Sequence, residues 1–265
     1  MLHLAGYFAA IFIGLALGIM GGGGSILTVP VLVYLLGVSP VLSTAYSLFV
    51  VGSTAAVGAA SYLRRGLVSL RTAVVFLLPS LLAVFAVRKL LLPAVPHELF
   101  TVGGVLITKD LLVLVAFAGL MVAAATAMIR GPQAAAQAAP AACNYPLVLG
   151  IGLMVGTLTG LVGAGGGFLI IPALVLGARL PMQQAVGTSL AIIALNSLIG
   201  FVGDLSAGTA IAWPFLLGFL AFALAGIALG TYLARFIPGS RLRPAFGWFT
   251  LAMGTFILVK ELVLR

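Results

Sequence analysis

Apolar stretches recur along the whole chain, separated by short turns that contain glycine, proline or arginine. Each stretch has about 20 residues, which as a helix spans the ~30 Å hydrocarbon core of a bilayer. Of the 265 residues, 63% are hydrophobic and only 6% are charged, and the mean hydropathy is +1.32. So little polar surface cannot coat a water-soluble globule. The sequence therefore predicts an all-α polytopic membrane protein, and we interpret the stretch at 4–20 as its first helix rather than a signal peptide.

Basic residues outnumber acidic ones, with 13 Lys and Arg against 4 Asp and Glu and a formal net charge of +9. They lie at the ends of the apolar segments, which is typical of anchors that contact lipid headgroups rather than of a nucleic-acid surface. Arg64, Arg65 and Arg71 are accordingly predicted to be interfacial. No acidic residue falls at the middle of a predicted helix, so a carboxylate proton relay has no obvious carrier.

Cysteine and histidine are scarce. Cys143 is the single cysteine, and His3 and His97 are far apart in sequence. Disulfide frameworks and metal sites need several such residues at defined spacings. We therefore expect no cofactor, no metal and no enzymatic activity. The expected partners are a small anion and the lipid bilayer, not nucleic acid, with a homodimer left open.

The chain contains an internal repeat at an offset of 142 positions. Without a gap, this offset aligns "GLALGIMGGGGSILTVPVLV" from Gly14 with "GTLTGLVGAGGGFLIIPALV" from Gly156. Glycine and proline dominate the matches, and these residues specify the backbone path. We therefore expect two transmembrane repeats, at 1–130 and 146–265, joined by a linker at 131–145 that is rich in Ala, Gln and Pro.

Each repeat is predicted to contain five helices. They are placed at 4–20, 25–37, 40–62, 68–92 and 110–130, and at 146–162, 167–179, 182–202, 209–235 and 243–263. The second helix of each repeat has about 13 residues and rises only about 20 Å, which is too short to cross the bilayer. We expect it to be re-entrant or half-spanning, which leaves about eight transmembrane helices in two parallel four-helix repeats. Counting it as a crossing would give ten helices and inverted repeats.

The two halves differ in length before their last helices. The first half has an additional stretch, 97–110, in which β-forming residues alternate around Gly103 and Gly104. This pattern is typical of two short strands joined by a tight turn. The sequence therefore predicts a small interfacial β-hairpin at 98–109.

Four consecutive glycines, Gly21 to Gly24, precede the short helix of the first repeat, and a matching cluster precedes that of the second. Non-helical backbone at membrane depth is tolerated only where it is buried in protein or lines a cavity. The amides at a helix start are partly positive and bind anions. We therefore predict a two-lobed anion site at the two breaks, formed by Gly23, Gly24, Ser25, Gly165, Gly166 and Gly167. The alternative is that the glycines only allow close helix packing, which we prefer for the isolated Gly14 and Gly18.

Polar side chains on the third helix of each repeat are further candidates for substrate binding. They are Thr44, Ser47, Thr188, Ser189 and Asn196, of which Ser47 and Ser189 match across the repeat. Hydroxyl and amide donors can hold an oxyanion without the very tight binding of a buried arginine, which suits a carrier that must release its cargo. The alternative is that these side chains hydrogen-bond their own helix or a neighbouring one.

These motifs resemble a known family. The segment at 160–204, "GLVGAGGGFLIIPALVLGARLPMQQAVGTSLAIIALNSLIGFVGD", resembles the signature of the sulfite exporter TauE/SafE family, and "GIMGGGGSILTVPVLV" resembles its first-half counterpart. The resemblance covers nearly the whole chain. It implies an inner-membrane transporter of a bacterium or archaeon, with about eight helices, that exports sulfite or small organosulfonates such as sulfoacetate. Ser25 departs from the glycine at the matching position, Gly167.

The function expected from these features is export of small sulfur oxyanions through a central site between the two repeats. An anion leaving an inside-negative cell is driven outward by the membrane potential, so export would need no coupling carboxylate. An anion channel and an importer of a different small anion remain as alternatives.

Overall fold

The computed structural model describes residues 2–91, 98–102, 105–130, 145–162, 167–206 and 211–262. These residues form ten α-helices and one two-stranded sheet. The helices of the first half are α1 (Leu2–Met20), α2 (Gly23–Pro30), α3 (Pro40–Arg64), α4 (Leu70–Ala86) and α5 (Lys109–Arg130). Those of the second half are α6 (Tyr145–Val162), α7 (Gly167–Pro172), α8 (Met182–Ser206), α9 (Trp213–Leu233) and α10 (Gly239–Leu262).

The predominantly helical fold predicted from the sequence is confirmed for the described residues, and each of the ten predicted helices has a counterpart. The predicted linker at 131–145 lies outside the described residues except for Tyr145. Some predicted boundaries shift by about four residues, and the last helix begins at Gly239 instead of 243. The helix predicted at 182–202 continues to Ser206, and the one predicted at 209–235 begins at Trp213 with Pro214 in its first turn. Proline is favoured there because the first amides of a helix have no helical acceptor.

Both short helices end at a proline and continue as a wider helical turn. α2 ends at Pro30 and is followed by a π-helical turn, Val31–Leu35, while α7 ends at Pro172 and is followed by Ala173–Gly177. Because proline has no backbone amide, it removes one helical hydrogen bond. The backbone hydrogen bonds that follow join residues five positions apart instead of four. The Leu36 amide thus donates to the carbonyl of Val31 at 3.2 Å. The segments predicted as single helices at 25–37 and 167–179 are therefore mixed α and π segments.

The turn after each short helix has the same left-handed backbone. Gly37 has φ +67° and Arg179, which lies 142 positions later, has φ +53°. Glycine adopts this conformation at no steric cost, whereas a residue with a Cβ atom is strained there. The left-handed turn after the short helix of the first half thus recurs in the second, although the residue there is not glycine.

The principal helix contacts are related by exchange of the two halves. α1 packs along α9, and α6 packs along α4, which are matching pairs. α3 packs against its counterpart α8, α5 against its counterpart α10, and α2 touches its counterpart α7. The contacts therefore follow the pattern that a twofold relation between the halves would produce.

Glycine allows close approach within the two long pairs. A Cβ atom on Gly18 would lie 2.6 Å from the Thr231 amide of α9, and one on Gly156 would lie 2.6 Å from the Ser80 Cα of α4. Real Cβ atoms do not approach other atoms so closely. The packing role preferred for Gly14 and Gly18 is confirmed, since a Cβ atom on Gly14 would overlap the Ala223 carbonyl.

Between α4 and α5 lies the stretch for which a hairpin is predicted. After α4 a π-helical turn, Val87–Leu91, is followed by β1 (Glu98–Val102) and β2 (Val105–Thr108), which pair antiparallel. The pairing joins Glu98 with Thr108 and Val102 with Val105, with a register shift after Glu98.

The outer surface of the described helices is strongly apolar. Phe12, Leu82 and Phe236 are 67%, 72% and 70% exposed, whereas polar side chains such as Ser47 and Asn196 are buried. Three described helical segments are long and apolar enough to cross a membrane, namely Leu42–Arg64, Met182–Ser206 and Trp213–Leu233. An apolar outside around buried polar groups is the arrangement expected in lipid. The count of about eight crossings and the re-entrant position of the short helices stay predictions.

Candidate functional site

The break between α1 and α2 is a tight turn at Gly21 and Gly22. Gly21 has φ +63°, and a Cβ atom there would lie 2.8 Å from the Ser189 hydroxyl oxygen and 3.3 Å from the Val186 Cα. The turn therefore lies directly against α8, the third helix of the opposite half. Only glycine combines this backbone conformation with so little space.

The two glycine-rich breaks meet at Gly22 and Gly167. A Cβ atom on Gly22 would overlap the backbone carbonyl of Gly167. A Cβ atom on Gly167 would lie 2.5 Å from the Gly22 Cα and 3.1 Å from the Ser25 hydroxyl oxygen. The starts of α2 and α7 are thus in backbone contact. Gly165 and Gly166 of the predicted site lie outside the described residues.

Gly23, Gly24 and Ser25 are the predicted site residues at the first break. Gly23 is the first residue of α2. A Cβ atom on Gly24 would lie 2.5 Å from the Ile13 carbonyl oxygen and from the Leu17 amide, so the side of Gly24 is filled by α1. Ser25 is fully buried and donates its hydroxyl to the Gly22 carbonyl at 2.7 Å. That bond satisfies the hydroxyl proton inside the chain's own turn, as the packing alternative expects for a serine.

Ser47 and Ser189 match in sequence but not in hydrogen bonding. Both are fully buried. Ser189 donates to the Val186 carbonyl of its own helix at 2.8 Å, whereas the Ser47 hydroxyl has no hydrogen-bond partner. A buried hydroxyl without a partner costs about 1–3 kcal/mol. Ser47 therefore has an unused hydrogen-bonding group that a ligand or water can satisfy.

Asn196 joins α8 to α4. It is 1% exposed, and its amide nitrogen donates to the Ser80 hydroxyl at 2.7 Å, while its amide oxygen has no partner. Ser80 directly follows Pro79 inside α4. Ser80 was not predicted as a site residue, although a serine next to a proline inside an apolar helix is a usable signal, because proline leaves the carbonyl four residues earlier without its amide donor.

Thr188 has a structural partner. Its hydroxyl accepts the Ser69 amide at 2.9 Å, at the residue that precedes α4. At the matching position of the first half, the Tyr46 hydroxyl accepts the Ala212 amide at 2.8 Å, at the residue that precedes α9. Both bonds satisfy an amide at a helix start, where no helical acceptor exists. Thr44, the remaining predicted residue, is half-buried on α3.

Two residues at the end of α3 were not predicted as site residues. The buried Tyr62 donates its hydroxyl to the Gly18 carbonyl at 3.1 Å, which ties α3 to the end of α1 before the break. Arg64 and Arg71 are exposed, as predicted for interfacial anchors. Arg65 is instead half-buried, and one of its terminal nitrogens is buried without a hydrogen-bond partner. Because Arg64 and Arg65 are adjacent, their different burial could not be predicted from the sequence.

No group of three or more His, Cys, Asp or Glu that could hold a metal ion occurs among the described residues. The described residues of the candidate site offer backbone, hydroxyl and amide groups. Such groups can bind and orient an anion.

Comparison with known proteins covers most of the chain. The family model described as "Sulfite exporter TauE/SafE" matches residues 7–257. A "Probable membrane transporter protein" of Xylella fastidiosa strain Temecula1 is 30% identical over 256 residues, which cover 93% of this chain and 91% of that protein. The "Probable membrane transporter protein YunE" of Bacillus subtilis is 37% identical over 98 residues, or 36% of either chain. No solved structure matches the chain.

Proposed function

Because the chain belongs to the sulfite exporter TauE/SafE family, we propose that it is a multi-pass transporter of the inner membrane that exports small sulfur oxyanions or organosulfonates. Sulfite and sulfoacetate are the proposed substrates. Membership of a family of membrane transporters, together with the apolar outer surface, supports the membrane location and the class of activity.

The single observation that carries the proposed position of the site is the backbone contact between Gly22 and Gly167. It brings the starts of two broken helices together, beside the buried hydroxyls of Ser25 and Ser189. Amides at a helix start are directed away from the helix and attract negative charge. A sulfonate oxygen could therefore be bound by backbone donors from both halves.

Ser47 and Asn196 are the side chains proposed to complete this site. Each is buried and has a hydrogen-bonding group without a partner. Ser25, Ser189 and Thr188 have their hydroxyls in bonds within the protein, so we propose that they shape the site rather than bind the anion first.

The experiment that tests the proposal is counterflow in proteoliposomes that contain the purified protein. Vesicles preloaded with unlabelled sulfite, sulfoacetate, sulfate or thiosulfate are diluted into labelled anion, and uptake is followed over time. A transporter is expected to accumulate label transiently and to saturate with sulfite or sulfoacetate. With the membrane potential held at zero by valinomycin and equal potassium on both sides, a channel, the second candidate, would not accumulate label. Flux of none of the four anions, from protein that remains folded, would remove the proposal.

A further inference from the structure

Arg65 differs from the neighbouring arginine in its surroundings. Arg64, the last residue of α3, is exposed, while Arg65 is half-buried. One terminal nitrogen of the Arg65 guanidinium is buried and has no hydrogen-bond partner. Although the two residues are adjacent and chemically identical, only Arg65 directs a charged donor into the protein.

Tyr62 positions this guanidinium. The central carbon of the Arg65 guanidinium lies 5.1 Å from the centroid of the Tyr62 ring, within the range of a cation–π contact. The ring is held by the bond from its hydroxyl to the Gly18 carbonyl. It is also held by close packing on α8, because a Cβ atom on Gly187 would lie 2.9 Å from the Tyr62 Cβ. The guanidinium therefore lies over a ring that is fixed to α1 at Gly18, three residues before Gly21 in the sequence.

The described surroundings of Arg65 offer no negative charge to it. No ion pair of Arg65 occurs among the described residues, and the other charged side chains of the α3–α4 corner, Arg64 and Arg71, are also cationic. A buried guanidinium donor without an acceptor is costly, and contact with an aromatic face compensates it only in part. An acceptor that carries negative charge would satisfy this donor best.

We infer that Arg65 forms a second binding site for a small oxyanion, at the corner between α3 and α4. A guanidinium presents paired donors that match two oxygens of a sulfonate, sulfite or phosphate group. The same chemistry is offered by a transported anion and by the phosphate of a lipid headgroup. The substrate assignment rests on the proposed function, whereas the oxyanion site itself does not.

The test is oxyanion binding by the purified protein in an uncharged, lipid-free detergent. The melting temperature is followed against sulfoacetate or sulfite concentration, with ionic strength held constant by chloride. Wild type is expected to show a saturable rise. Arg65→Gln is expected to need about tenfold or more anion for the same rise, because a charge-assisted bond is lost. Arg65→Lys, which keeps the charge but loses the planar fork, should fall between them.

Arg64→Gln is the matched control, since it removes one positive charge at the same level of the helix. It is expected to bind the anion as wild type does. Equal weakening in Arg64→Gln and Arg65→Gln would show a general charge effect and overturn the inference. An unchanged half-saturation concentration in Arg65→Gln and Arg65→Lys would do the same.

A second arm distinguishes the two sources of the oxyanion. Phosphatidylglycerol is added to the same samples, and sulfoacetate is titrated against it. Competition that depends on Arg65 supports a site open to the transported anion. Stabilisation by phosphatidylglycerol that sulfoacetate never displaces would overturn the substrate assignment. If the anion shift depends on Arg65 but no anion is transported, the proposed function fails while the oxyanion site stands.

Discussion

Ser47 is a buried hydroxyl without a partner, and its repeat-matched residue Ser189 is bonded to its own helix. Ser47→Ala therefore removes an unsatisfied group, and we expect unchanged or slightly higher thermal stability. If Ser47 contacts the anion, the half-saturation concentration for flux should rise about fivefold or more, as for loss of one hydrogen bond of about 1 kcal/mol. Ser189→Ala is the matched control and should change that concentration less. An equal effect of both changes would argue against a direct contact by Ser47.

Gly22 and Gly167 are in backbone contact where the two breaks meet, and neither position has space for a Cβ atom. Gly167→Ala is expected to lower the stability by at least 1–3 kcal/mol, because the added methyl group must displace backbone of the opposite half. The measurement is thermal unfolding in detergent. Gly203→Ala, in a helix where a Cβ atom meets nothing within 4 Å, is the control and should be neutral or mildly stabilising. A Gly167→Ala protein as stable as the control would contradict the close contact of the breaks.

At the scale of elements, the turn after each short helix is built on a left-handed residue. Arg179→Gly is expected to stabilise the protein by up to about 1 kcal/mol, because it relieves the strain at φ +53°. Gly37→Ala at the matching turn should destabilise it by a similar amount, although space is free there. The melting temperatures of the two variants should thus move in opposite directions. A fall in both would mean that contacts of the Arg179 side chain outweigh the backbone strain.

Two side chains cap the starts of α4 and α9, each from the third helix of the opposite half. Thr188→Val and Tyr46→Phe each remove the acceptor of a helix-start amide. We expect each to lower the stability by about 1–2 kcal/mol, measured by thermal unfolding. Thr188→Ser, which keeps the acceptor, is the control. Normal stability of Thr188→Val together with a loss of anion affinity would instead assign Thr188 to the binding site.

The order and type of the helices could be predicted from the sequence, because apolar run length and the glycine and proline repeat depend on local residues. The π-helical turns could not be placed, since they arise from how the chain continues after Pro30 and Pro172 rather than from a periodicity. The meeting of Gly22 with Gly167 was anticipated only as convergence of two helix starts. The different surroundings of Arg64 and Arg65 were not predictable, because they depend on the ring of Tyr62 and on α8.

At the scale of the whole molecule, we propose that this transporter is a carrier of anions whose export is driven by the membrane potential. The described helices show paired contacts between the halves and several buried polar groups without hydrogen-bond partners, and the sequence places no carboxylate at mid-depth. Moving one elementary charge through the membrane potential is worth about 2.3 kcal/mol per 100 mV. The potential and the substrate gradient would therefore suffice to drive export.

The most direct test of this claim is efflux of labelled sulfoacetate from proteoliposomes under an imposed potassium diffusion potential, without a pH gradient. The account predicts that an inside-negative potential accelerates efflux and that an inside-positive potential slows it, relative to zero potential. Protein-free liposomes provide the background. Efflux that ignores the potential but follows an imposed pH gradient would contradict the account.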